Sequence, residues 1–129
     1  DSQYYGAPTQ YTHLITVWIP LVDVNEENGG MRWIPNSHKN GYVPHRFFSE
    51  FNDAHGVVDR YTDGARIEYL TLSKGDVFLF DPRLMHGSTP NRTSNLRWTC
   101  VIRYNSLAEV PYLTEPEAPM RIEQVQAIK

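Results

Sequence analysis

His86 and Arg97 are the two side chains whose setting points most directly to chemistry. His86 sits at the end of Lys74-Gly75-Asp76-Val77-Phe78-Leu79-Phe80-Asp81-Pro82-Arg83-Leu84-Met85, and Gly87-Ser88-Thr89-Pro90-Asn91 follows it. This order reads as a tight turn, an apolar strand, a second turn, and then a histidine on a Gly/Ser/Pro/Asn-rich segment. Arg97, eleven residues after His86, opens another apolar strand. A neutral imidazole is a metal ligand. A guanidinium grips a carboxylate through two parallel hydrogen bonds, which a lysine cannot reproduce. One of each on neighbouring strands is the layout of a non-haem iron oxygenase. Ser88, two residues beyond His86, is placed to donate a hydroxyl to the same carboxylate.

The elements that must position these groups are strands. His13–Val24, Met31–Ile34, Arg66–Leu72, Asp76–Phe80 and Leu96–Tyr104 are rich in β-branched and aromatic residues. Asn25-Glu26-Glu27-Asn28-Gly29-Gly30 reads as a polar hairpin connection between the first two, and Ser73-Lys74-Gly75-Asp76 as a further turn. Residues 36–64 form a long polar and aromatic insert with a weak helical tendency at Arg46–Phe51, and a connection of that length commonly carries function. Its Tyr42, His45, Arg46, Phe47, Phe48, Arg60 and Tyr61 suit a mixed polar and aromatic substrate wall. After Asn105 the prolines at 111, 116 and 119 predict an extended tail over residues 106–129.

In Leu96–Tyr104 one face carries Trp98, Cys100, Ile102 and Tyr104, and the other Arg97, Thr99, Val101 and Arg103. The half-polar face predicts a lined cavity within, and the apolar one a layer packed outside. His13–Val24 is apolar on both faces. A chain this poor in helices has too little material to cover such strands, so the expectation is that a covering segment is absent and that the open faces drive self-association.

Composition narrows the class. With 129 residues, 40% of them apolar, the chain is one globular domain at most. A net charge of −3 without a basic cluster argues against a nucleic-acid partner. The longest apolar run, Leu14 to Val22, is too short to span a bilayer. The single cysteine, Cys100, excludes an internal disulfide and suggests a reducing, cytoplasmic setting.

Several blocks in order carry a resemblance: Thr16-Val17-Trp18-Ile19-Pro20-Leu21, then Asn28-Gly29-Gly30-Met31-Arg32-Trp33-Ile34-Pro35-Asn36-Ser37-His38-Lys39, then Lys74 through Asn91 with Arg97. Together they resemble the phytanoyl-CoA dioxygenase family of iron(II)- and 2-oxoglutarate-dependent oxygenases. The resemblance implies an all-β double-stranded β-helix of the jelly-roll or cupin type over residues 1–105. It also implies Fe(II) as cofactor, 2-oxoglutarate as co-substrate, and hydroxylation of a small organic substrate with release of succinate and CO2. By position His86 resembles the family's second histidine ligand, Arg97 and Ser88 its 2-oxoglutarate contacts, and Trp18 its aromatic residue near the co-substrate. A core tryptophan accounts for Trp18 equally well. His38 in the Pro35-Asn36-Ser37-His38 loop reads as loop-ordering, and His13, His45 and His55 have no ligand spacing.

The chain departs from that pattern at one point, since no His-x-Asp triplet occurs in it. Asp1 resembles the aspartate of the triplet, with its histidine expected two residues upstream. The expectation is therefore a C-terminal part of a larger oxygenase, binding iron weakly when it has only Asp1 and His86 to offer. Aspartate at the ligand position favours hydroxylation over halogenation. The competing readings are a cupin-like metal or small-molecule binding protein, for which the first cupin His-x-His is missing, and a non-catalytic jelly-roll interaction domain.

Overall fold

A computed structural model describes residues 14–41, 43–48 and 54–104. Among the described residues the strands in chain order are β1 (Ile15–Pro20), β2 (Met31–Trp33), β3 (His45–Phe48), β4 (Ala54–Val57), β5 (Glu68–Tyr69), β6 (Phe78–Phe80), β7 (His86–Ser88) and β8 (Thr99–Tyr104). Helix among the described residues is limited to single 3-10 turns at Ser37–Asn40 and Asp59–Tyr61. All pairings are antiparallel: one sheet has the order β6-β1-β8, a second β5-β2-β7, and β3 and β4 form a separate hairpin. The two three-stranded sheets facing one another make the all-β, cupin-like double-stranded β-helix that the resemblance implied.

Register explains which side chains meet. On β1, Thr16 lies opposite Phe80 and Arg103, while Trp18 lies opposite Phe78 and Val101. Cross-strand partners share a face, so these residues form the inner surface of the first sheet. On the second sheet Met31 lies opposite Ser88, and Trp33 opposite His86. Trp18, Val24, Met31, Phe80 and Leu84 close the core between the sheets, with Trp33, Leu70 and Phe78 packed against it. Trp33 meets the Phe78 ring at 5.7 Å between centroids. The outer face of β6-β1-β8 stays open: Ile15, Leu79, Ile102 and Tyr104 are 40%, 55%, 36% and 57% exposed. Alternation on β8 thus sorts its residues as the sequence pattern predicts.

Two expectations need correction. Asn25–Gly30 is not a hairpin, because β1 and β2 belong to different sheets. The segment is a compact crossover. Asn25 Oδ1 accepts from the amides of Glu27 and Asn28, and Asn28 Nδ2 donates to the Asp23 carbonyl at 2.7 Å. Gly30 N donates to the Asn25 carbonyl at 2.8 Å, and a Cβ at Gly30 would lie 2.4 Å from that oxygen, so only glycine closes the turn. The helical tendency at Arg46–Phe51 is overridden at Arg46–Phe48, residues 49–51 lying outside the described ones. His45–Phe48 pairs as β3 with Ala54–Val57, from His45 opposite Val57 to Phe48 opposite Ala54. Ladder pairing outweighs weak local preference there. Asp1, His13 and the 106–129 tail lie outside the described residues.

Candidate functional site

The site is built along β7 and the turn ahead of it. Asp81 Oδ1 accepts from the amide and the Nε of Arg83, each at 2.8 Å, and Oδ2 from Arg83 Nη2 at 2.7 Å. That guanidinium is the main cause holding the Asp81 carboxyl below its ordinary range. Asp76 accepts from the Ser73 amide at 2.8 Å. Both aspartates are turn formers, as their positions predict. The turn leads into buried Leu84 and Met85. Ser37, itself only 2% exposed, accepts the Met85 amide at 2.8 Å through its hydroxyl. The Ile34 amide donates to the Met85 carbonyl at 3.0 Å. The backbone entering His86 is therefore fixed on both polar groups of its neighbour.

His86 faces inward. Its ring meets that of Phe80 edge to face at 4.6 Å between centroids, and its Nδ1 lies 2.8 Å from the Leu84 carbonyl. A carbonyl only accepts, so Nδ1 carries the proton of the neutral ring and Nε2 carries the lone pair. Burial is the main cause that lowers the His86 pKa below its ordinary 6.5; the Leu84 hydrogen bond opposes it and the positive charge of Arg103 adds to it. The side chain is thus a neutral imidazole of fixed tautomer at neutral pH, which is the form a metal ion requires. Among the described residues no three His, Cys, Asp or Glu side chains cluster in a way that could hold a metal ion. His86 fits the role of one ligand, and Asp1, the other carboxylate expected there, is outside the described residues.

Ser88 shares the face of His86 by alternation and is exposed. Arg97 precedes β8 and is half-buried. Its Nη1 lies 3.4 Å from Thr99 Oγ1, and its Nε would come within 3.2 Å of a Cβ on Gly29. Gly29 has φ +88°, and Thr89 O and Asn91 Cβ crowd the same point. Glycine is needed there for the backbone twist and for the close approach of the guanidinium. Arg97 therefore reaches across to the C-terminal end of β7, three to five residues beyond His86, or roughly 10–16 Å of extended chain. Trp18 is 4% exposed and belongs to the core cluster. It stands in the row between Phe78 and Val101 on the inner face, and the core accounts for it. His38 lies in the 3-10 turn whose Ser37 supports Met85, consistent with an ordering role for that loop. His45 Nδ1 bonds its own backbone neighbour, the Val43 carbonyl, at 2.9 Å.

Beside this line lies a cavity of about 360 Å3, reaching His86 and bounded by Trp33 of the second sheet, by Ile34 and Met85 flanking its strands, and by Gly56 and Val57 of β4. Its volume is at the lower end of the ~300–1,000 Å3 usual for small-molecule sites. Sequence reasoning pointed to the insert as a substrate wall, but through its aromatic residues and arginines. Among the described residues of the insert, Gly56, Val57, Asp59 and Thr62 line the cavity, while Tyr42 and the side chains of Arg46, Phe47 and Phe48 lie outside what the structure describes. The supporting roles of Ser37, Phe80 and the Leu84 carbonyl were also missed; Ser37 stood within a recognised block, but its partner is 48 residues away in the chain.

Comparison with known proteins places this arrangement. The phytanoyl-CoA dioxygenase (PhyH) model matches residues 1–99. The chain belongs to the phytanoyl-CoA dioxygenase family. It is 31% identical over 97 residues to the peroxisomal phytanoyl-CoA dioxygenase of Rattus norvegicus, covering 72% of this chain and 28% of that protein. It is 32% identical over 123 residues to a probable alpha-ketoglutarate-dependent hypophosphite dioxygenase of Stutzerimonas stutzeri, covering 84% and 43%. Among solved structures, AviO1 from Streptomyces viridochromogenes Tue57 superposes with a TM-score of 0.58 at 31% identity, over 82% of this chain and 40% of that one. The chain thus spans less than half the length of each of these proteins. No helix among the described residues is long and apolar enough to cross a membrane.

Proposed function

We propose that this chain carries the co-substrate half of an Fe(II)- and 2-oxoglutarate-dependent oxygenase that hydroxylates a small organic molecule. One observation carries the reading: a half-buried, neutral His86 with Nδ1 held by the Leu84 carbonyl, at the start of the strand beyond whose far end Arg97 approaches. 2-Oxoglutarate would bridge the two groups, one end near the imidazole and its remote carboxylate paired with the guanidinium. His86 and Asp1 would hold the iron. Arg97, helped by Ser88, would hold the remote carboxylate of 2-oxoglutarate. When bound, the iron supplies oxidising power from dioxygen, coupled to decarboxylation of 2-oxoglutarate. The protein residues orient the co-substrate, exclude water around His86 through Phe80 and Trp33, and keep the imidazole proton on Nδ1. Membership in the PhyH family and a relative named as alpha-ketoglutarate-dependent support the co-substrate assignment. The test is iron titration with succinate release, on the 129-residue chain and on any longer natural form of it. The reading expects succinate formation that depends on iron and His86. Succinate formation unchanged in His86→Ala would end it.

The open outer face of β6-β1-β8 forms the second part of the proposal. Ile15, Leu79, Ile102 and Tyr104 expose apolar surface worth about 25 cal/mol per Å2 on burial, and we propose that the isolated chain self-associates through it. Sedimentation velocity should show mass rising with concentration, and Leu79→Lys with Ile102→Lys should return the monomer. A monomer at every concentration in the unmodified chain would remove this part.

A further inference from the structure

The cavity beside His86 contains polar groups that the oxygenase reading leaves without a task. It wraps the end of the second sheet, where β2 finishes and β7 starts, since Ile34 and Met85 just outside those strands line it together with Arg32 and Gly87 within them. Arg32 and Gly87 are cross-strand partners on the face opposite to Trp33 and His86. Because residue 87 is a glycine, the guanidinium of Arg32 lies over its backbone, with Nε 3.8 Å from where a Cβ would stand.

The other polar groups of the cavity are engaged. Thr62 Oγ1 donates to the Asp59 carbonyl at 2.9 Å, and His86 Nδ1 to the Leu84 carbonyl. Arg60, next to Asp59 in the chain, bonds the Tyr61 hydroxyl at 3.2 Å and lies over that ring. Arg32 enters no hydrogen bond or ion pair among the described residues, although a glutamate and an aspartate occur nearby in the fold: Glu68 pairs with Arg66 at 2.8 Å, and Asp59 lines the same cavity. The remaining lining is mostly apolar, from Trp33, Ile34, Val57, Ile67 and Met85. A cation at one side of an apolar pocket selects a molecule with an apolar body and an anionic end.

We propose that Arg32 is a specificity residue for the substrate, binding the anionic end of a small organic acid whose apolar part lies against Ile34, Ile67 and Met85. This rests on the oxygenase reading only for the word substrate; the binding itself needs neither iron nor 2-oxoglutarate.

Hexanoate and its neutral isostere hexanamide are the probes, titrated into the metal-free 129-residue chain without 2-oxoglutarate and followed by amide NMR shifts at Gly56 and Gly87. Arg32 is exposed, so hexanoate should bind roughly two- to fivefold more tightly than hexanamide, the scale of an exposed guanidinium–carboxylate contact. Arg32→Gln should bring the ratio to about one, and Arg32→Lys should retain part of it. Arg97→Gln, run in parallel, should leave the ratio intact. Equal binding of the two probes, a ratio unmoved by Arg32→Gln, or a ratio lost only in Arg97→Gln would overturn the proposal. Because no turnover is read, failure of the iron and 2-oxoglutarate assignment would show in succinate release and leave this result standing.

Discussion

The two ends of β7 are built on opposite principles. At the His86 end the side chain is enclosed by Phe80 and the turn before it, its proton is fixed by one carbonyl, and its backbone is held by buried Ser37. At the other end Arg97 lies over a glycine among exposed, turn-forming residues, with the Thr89 hydroxyl donating to the Glu26 carbonyl at 2.8 Å and Asn91 Nδ2 to that of Asn95 at 2.7 Å. Burial suits a ligand that must stay neutral, because desolvation disfavours the protonated ring. Partial exposure suits a cation that must stay charged and be reached by an anion. A neutral imidazole thus opens the strand, and a permanent charge from the segment ahead of β8 stands beyond its other end.

Removing the His86 end should have the largest effect. His86→Ala is expected to abolish succinate formation in an iron-competent form of the protein, with the fold retained by circular dichroism. Disrupting the core that encloses this end comes next: Trp18→Ala should cost about 3–5 kcal/mol of stability, read by urea unfolding. Ser37→Ala would leave the buried Met85 amide without its acceptor, at about 1–3 kcal/mol. At the other end, Arg97→Ala should raise the KM for 2-oxoglutarate roughly 10–100-fold while changing kcat less, as loss of a binding contact does. Arg97→Lys should recover only part of this. A fall in kcat alone would mean that Arg97 acts on the reaction centre rather than on the remote carboxylate.

The smallest effect is in pH. The folded-state pKa of His86 is depressed, so on acidification the unfolded chain takes up its proton first, near 6.5. The contribution of the buried neutral ring is fully present above that value. It is lost as pH falls from there through the lower folded pKa. Thermal unfolding should show a drop from pH 7.5 to pH 5 that is smaller in His86→Gln than in the unmodified chain.

Much of this was legible in the sequence, and what was missed has physical causes. β1, β6 and β8 announce themselves because β-branched and aromatic residues fill both of their faces, and β8 also revealed which face turns inward. β7 did not read as a strand, since His-Gly-Ser has little strand preference; pairing of all three residues with β2 imposes it. The crossover at Asn25–Gly30 read as a hairpin because glycines and asparagines specify a turn but not the partner of the strand that follows. His86, Ser88 and Arg97 were singled out by spacing within one contiguous segment. The cavity was not, because Arg32, Val57 and Ile67 come from three separate segments that only the folded chain brings together.

The most direct test of the central claim is anaerobic titration of 2-oxoglutarate with and without Fe(II), by calorimetry, on the longest natural form of the chain and on its His86→Ala and Arg97→Ala variants. The account predicts tight binding that requires iron, is lost in His86→Ala because the metal is lost, and is weakened in Arg97→Ala with iron still bound. Binding of 2-oxoglutarate that is independent of iron and indifferent to both substitutions would contradict it.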